Sequence, residues 1–191
     1  MDRRELLKMI VAATGAAMVG LPALVQGQAP AGATKIHFSD TDVATLDEIA
    51  ETILPRTRTP GAKDAGAGLF MATFVTDCYT ARQQVTFRAG LTDIDKRAGG
   101  RFVSLTPEAR TELLRTLDAE AKARHADVTE TGTPEEGEAM PHYFTMLKQL
   151  AIFGFFTSKV GATGVLQYVA VPGRYDGDLA YVPGTPAWGT S

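Results

Sequence analysis

Apolar residues recur along this chain at helical spacing, in segments cut apart by proline and glycine, and that pattern restricts the fold more than any other feature. Val43, Leu46, Ile49, Ala50, Ile53 and Leu54 fall on one side of a helix, with Asp47, Glu48 and Glu51 on the other. Ser39 opens it with Asp42 three residues on, the spacing of a capping box, and Pro55 ends it. Residues 55–68 hold Pro55, Pro60, Gly61, Gly66 and Gly68 and read as a shaped loop. A second helix is predicted from about Leu69, stacking Phe70, Phe74 and Cys78 at i, i+4 and i+8. A third places Phe87, Leu91, Ile94 and Ala98 on one face and stops at Gly99-Gly100. Thr106-Pro107-Glu108 starts a fourth, with Leu113, Leu114, Leu117 and Ala121 as its buried stripe. Residues 129–138 read as an exposed acidic loop, after which Pro141 opens the most apolar helix, carrying Phe144, Leu147, Leu150, Ala151, Phe153, Phe155 and Phe156.

From Val171 onward, Pro172, Gly173, Gly177, Pro183, Gly184, Pro186 and Gly189 rule out a regular helix, and no strand alternation replaces it. The prediction is therefore an all-α bundle of about five helices over 39–170, with an extended Pro/Gly-rich C-terminal arm over 171–191. Tyr175, Tyr181 and Trp188 give the arm aromatic side chains to lay along its own domain or a partner.

Ahead of the bundle stands a leader. Arg3-Arg4 precede Leu6, Leu7 and Lys8, and an uncharged run rich in Ala and Gly follows from Met9 to Val25. A basic start, a moderately apolar middle and small residues at Ala29, Ala31 and Ala33 make a signal peptide, and the paired arginines point to the twin-arginine pathway. The expected division is a signal peptide over 1–31 and a linker over 32–38. A retained anchor and a buried core helix are the competing readings of the same run. The first needs a longer span, and the second needs a polar face that the run lacks. Export by this route implies the periplasm, and the twin-arginine translocase as a transient partner.

The residues offer little catalytic machinery. A formal net charge of -3 leaves no basic excess for a phosphate backbone, so nucleic acid is not expected as a partner. Cys78 is the only cysteine, which excludes an internal disulfide and any zinc or iron–sulfur site built on several thiolates. Its simplest role is a small buried hydrophobe on the Phe70/Phe74 stripe, and the sharper one is a disulfide to another subunit. Gly61 and Gly66 have phosphate-loop spacing, but Ala67-Gly68 stand where Lys and Ser/Thr are required. Glu138 and His142 could share a helix face as a metal-ligand pair, although Pro141 between them favours a capping or salt-bridging role. No catalytic, cofactor-binding or metal residue is assigned.

One segment is distinctive: Phe153-Gly154-Phe155-Phe156-Thr157-Ser158-Lys159-Val160-Gly161-Ala162-Thr163-Gly164, running on to Val171-Pro172-Gly173-Arg174-Tyr175-Asp176-Gly177. It resembles the C-terminal signature of the gluconate 2-dehydrogenase subunit 3 family. Ile49 to Gly66 is similar to that family's first helix and Pro-Gly loop, and Asp77-Cys78-Tyr79 and Phe102 to Glu108 agree with it. The resemblance implies a non-catalytic small subunit with no cofactor of its own. The FAD and active site would belong to a large glucose–methanol–choline-type (GMC-type) flavoprotein that oxidises a sugar or sugar acid. A cytochrome c subunit often completes such complexes. The small subunit would carry the export signal for the flavoprotein and associate with the inner membrane through the complex. Phe153, Phe155, Phe156, Val160, Arg174 and Tyr175 are the expected partner interface, since one helix face cannot bury all three phenylalanines. The alternative is a stand-alone exported helical protein, with Glu138 and His142 serving a metal.

Overall fold

The computed structural model describes residues 36–130, 140–171, 173, 177–178, 180 and 182–189. Within them lie six α-helices: α1 (Asp40–Ile53), α2 (Ala67–Cys78), α3 (Ala81–Arg97), α4 (Pro107–Glu130), α5 (Tyr143–Thr157) and α6 (Lys159–Gly164). Short 3-10 turns occupy Lys63–Ala65 and Phe102–Ser104, and no strand forms among the described residues. The leader and most of the acidic loop lie outside them.

Helix starts follow the caps. The Ser39 hydroxyl accepts from the Asp42 amide (3.2 Å), and the Asp42 carboxylate accepts from the Ser39 amide (2.9 Å). Thr80 and Gln83 repeat this reciprocal pair at α3. The Thr106 hydroxyl accepts from the Ala109 amide at α4 (3.3 Å). At α5 the cap is His142, whose Nδ1 accepts from the Phe144 amide (3.2 Å).

Packing centres on α5. Phe144, Met146, Leu147, Leu150, Ala151, Gly154 and Phe155 are buried along it, too many for one stripe. It accordingly touches α1, α2, α3, α4 and α6. The other helices turn single stripes toward it: Leu46, Ile49 and Ala50 from α1, Phe87, Leu91 and Ile94 from α3, Leu114, Leu117 and Ala121 from α4. A polar clip holds its start: the Tyr143 hydroxyl donates to Asp93 (2.6 Å), and Arg97 bridges Asp93 and Glu120 (2.7 Å each). Donation by Tyr143 holds the Asp93 carboxyl below its ordinary range, while burial and Asp93 push the Tyr143 phenol upward.

Two expectations need correction. Cys78 is exposed, not buried on a stripe with Phe70 and Phe74. The buried face of α2 is Ala67, Gly68, Met71, Ala72 and Val75, because α1 passes too close for a ring. The Gly68 amide donates to Asp47 Oδ1 (2.8 Å), and a Cβ on Gly68 would stand 2.4 Å from that oxygen and 2.7 Å from the Asp47 nitrogen. Phe70 and Phe74 lie half-buried on the flank facing α5.

Second, residues 36–38 of the expected linker belong to the fold. Phe38 is buried edge-on to Phe87 (6.1 Å between centroids), and Arg88 lies 5.0 Å over its ring. Arg88 also donates to the His37 carbonyl and to Asp42 (2.7 Å each). The apolar helix expected after Pro141 is α5, which carries Phe144 to Phe156 and is capped at its end by Ser158, where α6 begins.

Gly68→Ala should destabilise the protein by about 1–3 kcal/mol, because the methyl group overpacks the α1–α2 contact. Chemical denaturation of the two proteins checks it. Burial, aided by Arg124, pushes the His142 imidazole below its ordinary 6.5, so the fold holds it neutral where the unfolded chain already binds a proton. Stability is then full above that value and is lost as the pH falls through it toward the lower folded value. His142→Asn keeps a capping acceptor without the titration. Its melting temperature should fall less than that of the wild type between about pH 7.5 and about pH 5.5.

Candidate interaction surface

The loop after α1 is built on one carboxylate. Glu51, in the last turn of α1, accepts from the Arg56 amide through Oε1 and from the Lys63 amide through Oε2 (2.9 Å each). Gly61 is pressed against it: a Cβ there would lie 2.4 and 2.5 Å from the two carboxylate oxygens. Asp64 accepts from the Gly61 amide (2.8 Å) and pairs with Arg56. The Ala62 amide donates to the Leu54 carbonyl (3.0 Å), and Ala62 itself is fully buried. With its base tied down in this way, the loop holds Arg56, Thr57, Arg58 and Thr59 out in solvent.

A second tight turn brings the C-terminal motif to the same place. Ser158 ends α5 and starts α6; its hydroxyl donates to the Phe155 carbonyl (2.6 Å) and accepts from the Gly161 amide (3.0 Å). A Cβ on Gly161 would sit 2.1 Å from the Phe155 carbonyl oxygen, so any larger residue would force the turn open. The turn lays α6 beside Lys63–Ala65. Val160 then shares with Arg56, Arg58, Pro60 and Asp64 the walls of an open depression of about 490 Å³.

The three motif phenylalanines part company. Phe155 is buried in the core at 3% exposure, and Phe156 is half-buried with its ring 5.1 Å from that of Phe155. Phe153 is 48% exposed and completes an aromatic seam, 5.7 Å from Phe70 and 5.8 Å from Phe74. Ile152 beside it is also exposed. Val160 is half-buried at the depression, and Cys78 is exposed at the end of α2. Arg174 and Tyr175 lie outside the described residues, as do Arg3, Arg4, Leu6, Leu7, Lys8 and Glu138.

Beyond α6, Gln167 pairs with the returning chain near its end. Its amide donates to the Ala187 carbonyl, and its carbonyl accepts from the Gly189 amide (2.8 Å each). Among the described residues no three His, Cys, Asp or Glu side chains gather as a metal site, and no helix is long and apolar enough to cross a membrane.

The sequence carries no signal that singles out Glu51. On the polar face of α1 it looks like any solvated acid, and only the folded loop reveals the two amides it serves. Glu51→Ala should therefore leave the helices formed but loosen the loop. Trypsin cleavage after Arg58 should accelerate about tenfold relative to the wild type, read by mass spectrometry.

Both converging segments fall inside one match: the family model described as Gluconate 2-dehydrogenase subunit 3 covers residues 40–173. No curated protein and no solved structure matches the chain. A match spanning every helix described above shows that the chain belongs to the gluconate 2-dehydrogenase subunit 3 family, named for one subunit of a dehydrogenase complex.

Proposed function

We propose that this chain is the non-catalytic small subunit of a periplasmic, membrane-associated dehydrogenase whose large GMC-type flavoprotein holds the FAD and oxidises a sugar or sugar acid. The observation that carries this reading is the family match over residues 40–173. A supporting one is the absence from the sequence of a phosphate loop, a dinucleotide fingerprint or a set of thiolate ligands.

In this reading the chain assembles with the flavoprotein and takes it through the twin-arginine translocase, using Arg3, Arg4, Leu6, Leu7 and Lys8 as the address. Export of a folded pair suits a flavin that is inserted before crossing the membrane. A cytochrome c subunit would accept the electrons. Phe153, exposed on its seam, and Val160 at the depression supply apolar contacts, and Arg174 and Tyr175 are the further partner residues that the family motif implies. Phe155 contributes from within, by fixing the end of α5. Cys78 stands exposed where a partner thiol could reach it in an oxidising compartment.

Replacing Arg3 and Arg4 together with Lys tests the shared export. Fractionation should find both this chain and the flavoprotein retained in the cytoplasm, with sugar oxidation at the periplasmic face lost. Normal partner activity outside the inner membrane would exclude the joint route.

A further inference from the structure

The depression between the Arg56–Pro60 loop and α6 has a charge pattern that the family assignment does not explain. Arg56 is paired with Asp64, and Lys63 shares the Glu48 carboxylate with Arg110. Arg58 and Lys159 are exposed and make no ion pair among the described residues. Arg58 therefore lines the hollow as an unpaired cation, and Lys159 stands next in the chain to Val160, another of its lining residues, in a protein whose formal net charge is -3. Such an arrangement does nothing for the fold. Exposed, unpaired cations contribute little to stability, and like charges drawn to one place repel.

The scaffold beneath them is rigid in a way that exposed loops seldom are. Glu51 and Asp64 bind three of the loop's amides, and Gly61 is jammed against the Glu51 carboxylate. α6 is held by the Ser158–Gly161 turn. Positions 58 and 159, far apart in sequence, are thus set in fixed relation before any ligand arrives, which lowers the ordering cost of binding.

We propose that this hollow is the electrostatic docking site for an acidic polypeptide segment of the large subunit, with Arg58 and Lys159 receiving its carboxylates. The inference rests on the subunit reading above and adds to it the chemistry of the contact. An open hollow of about 490 Å³ cannot enclose and desolvate a small anion. It suits an elongated chain that lays carboxylates on Arg58 and Lys159 and apolar groups on Pro60 and Val160.

The test uses the full-length chain co-expressed with its flavoprotein. Arg58→Glu combined with Lys159→Glu should weaken capture of the flavoprotein about tenfold or more at roughly 0.1 M salt. The double variant should keep its far-ultraviolet circular dichroism and melting temperature, because neither side chain is buried or paired. Wild-type affinity should fall as sodium chloride rises, and Arg58→Gln with Lys159→Gln should flatten that dependence. If the wild type captures the flavoprotein and the reversed variant does so equally well, with the same salt dependence, the docking site is refuted while the subunit reading stands. If the wild type captures no flavoprotein, both fall. If the reversed variant keeps the flavoprotein but loses binding to phosphatidylglycerol vesicles, the hollow serves an anionic lipid surface and the proposal is overturned.

Discussion

Enclosing α5 is the constraint on which the rest of the structure depends. A helix that buries residues around most of its circumference cannot lie on a surface; it must be surrounded. Four of the five helices it touches, α1 to α4, do this, and α1, α3 and α4 each need only one apolar stripe because α5 supplies the opposing surface. The polar clip of Tyr143, Asp93, Arg97 and Glu120 sets where α5 begins, and the Ser158 turn sets where it stops. Enclosure is incomplete near that second end. There Phe153 and Ile152 remain exposed, beside a seam of half-buried rings.

The same end of the molecule carries the loop after α1. Its order comes from a carboxylate acting as a double acceptor, an interaction stronger than a neutral hydrogen bond and well suited to organising irregular backbone. With those amides held by Glu51 and Asp64, the loop leaves Arg58 exposed and without an ion pair among the described residues. Two stretches far apart in the sequence, which resemble one family's motifs separately, thereby become parts of a single surface. That convergence gives the motifs a common physical purpose: one glycine-dependent turn holds each in place, Gly61 in the first and Gly161 in the second.

Local chemistry was legible along the chain. Ser39 with Asp42, Thr106 with Pro107, and Pro55 marked helix ends where the structure has them, because a cap or a proline acts on backbone groups within a few residues. The helical class and the apolar stripes of α1, α3 and α4 followed from periodicity for the same reason. The family resemblance was equally visible, since it lies in residue order.

Only the tertiary structure decided which face of α2 turned inward. Two stripes competed there, and the closeness of α1 selected the one with Gly68 and Ala72 over the one with Phe70 and Phe74, leaving Cys78 outside. It also drew Ile36, His37 and Phe38 into the bundle through Arg88 and Thr76 on other helices. It turned Glu51 from a solvated acid into the anchor of a loop, buried Phe155, and left Phe153 half exposed. Spacing along one segment specifies which side chains share a face. The neighbour that face meets, and how closely, depends on every other helix packed around α5.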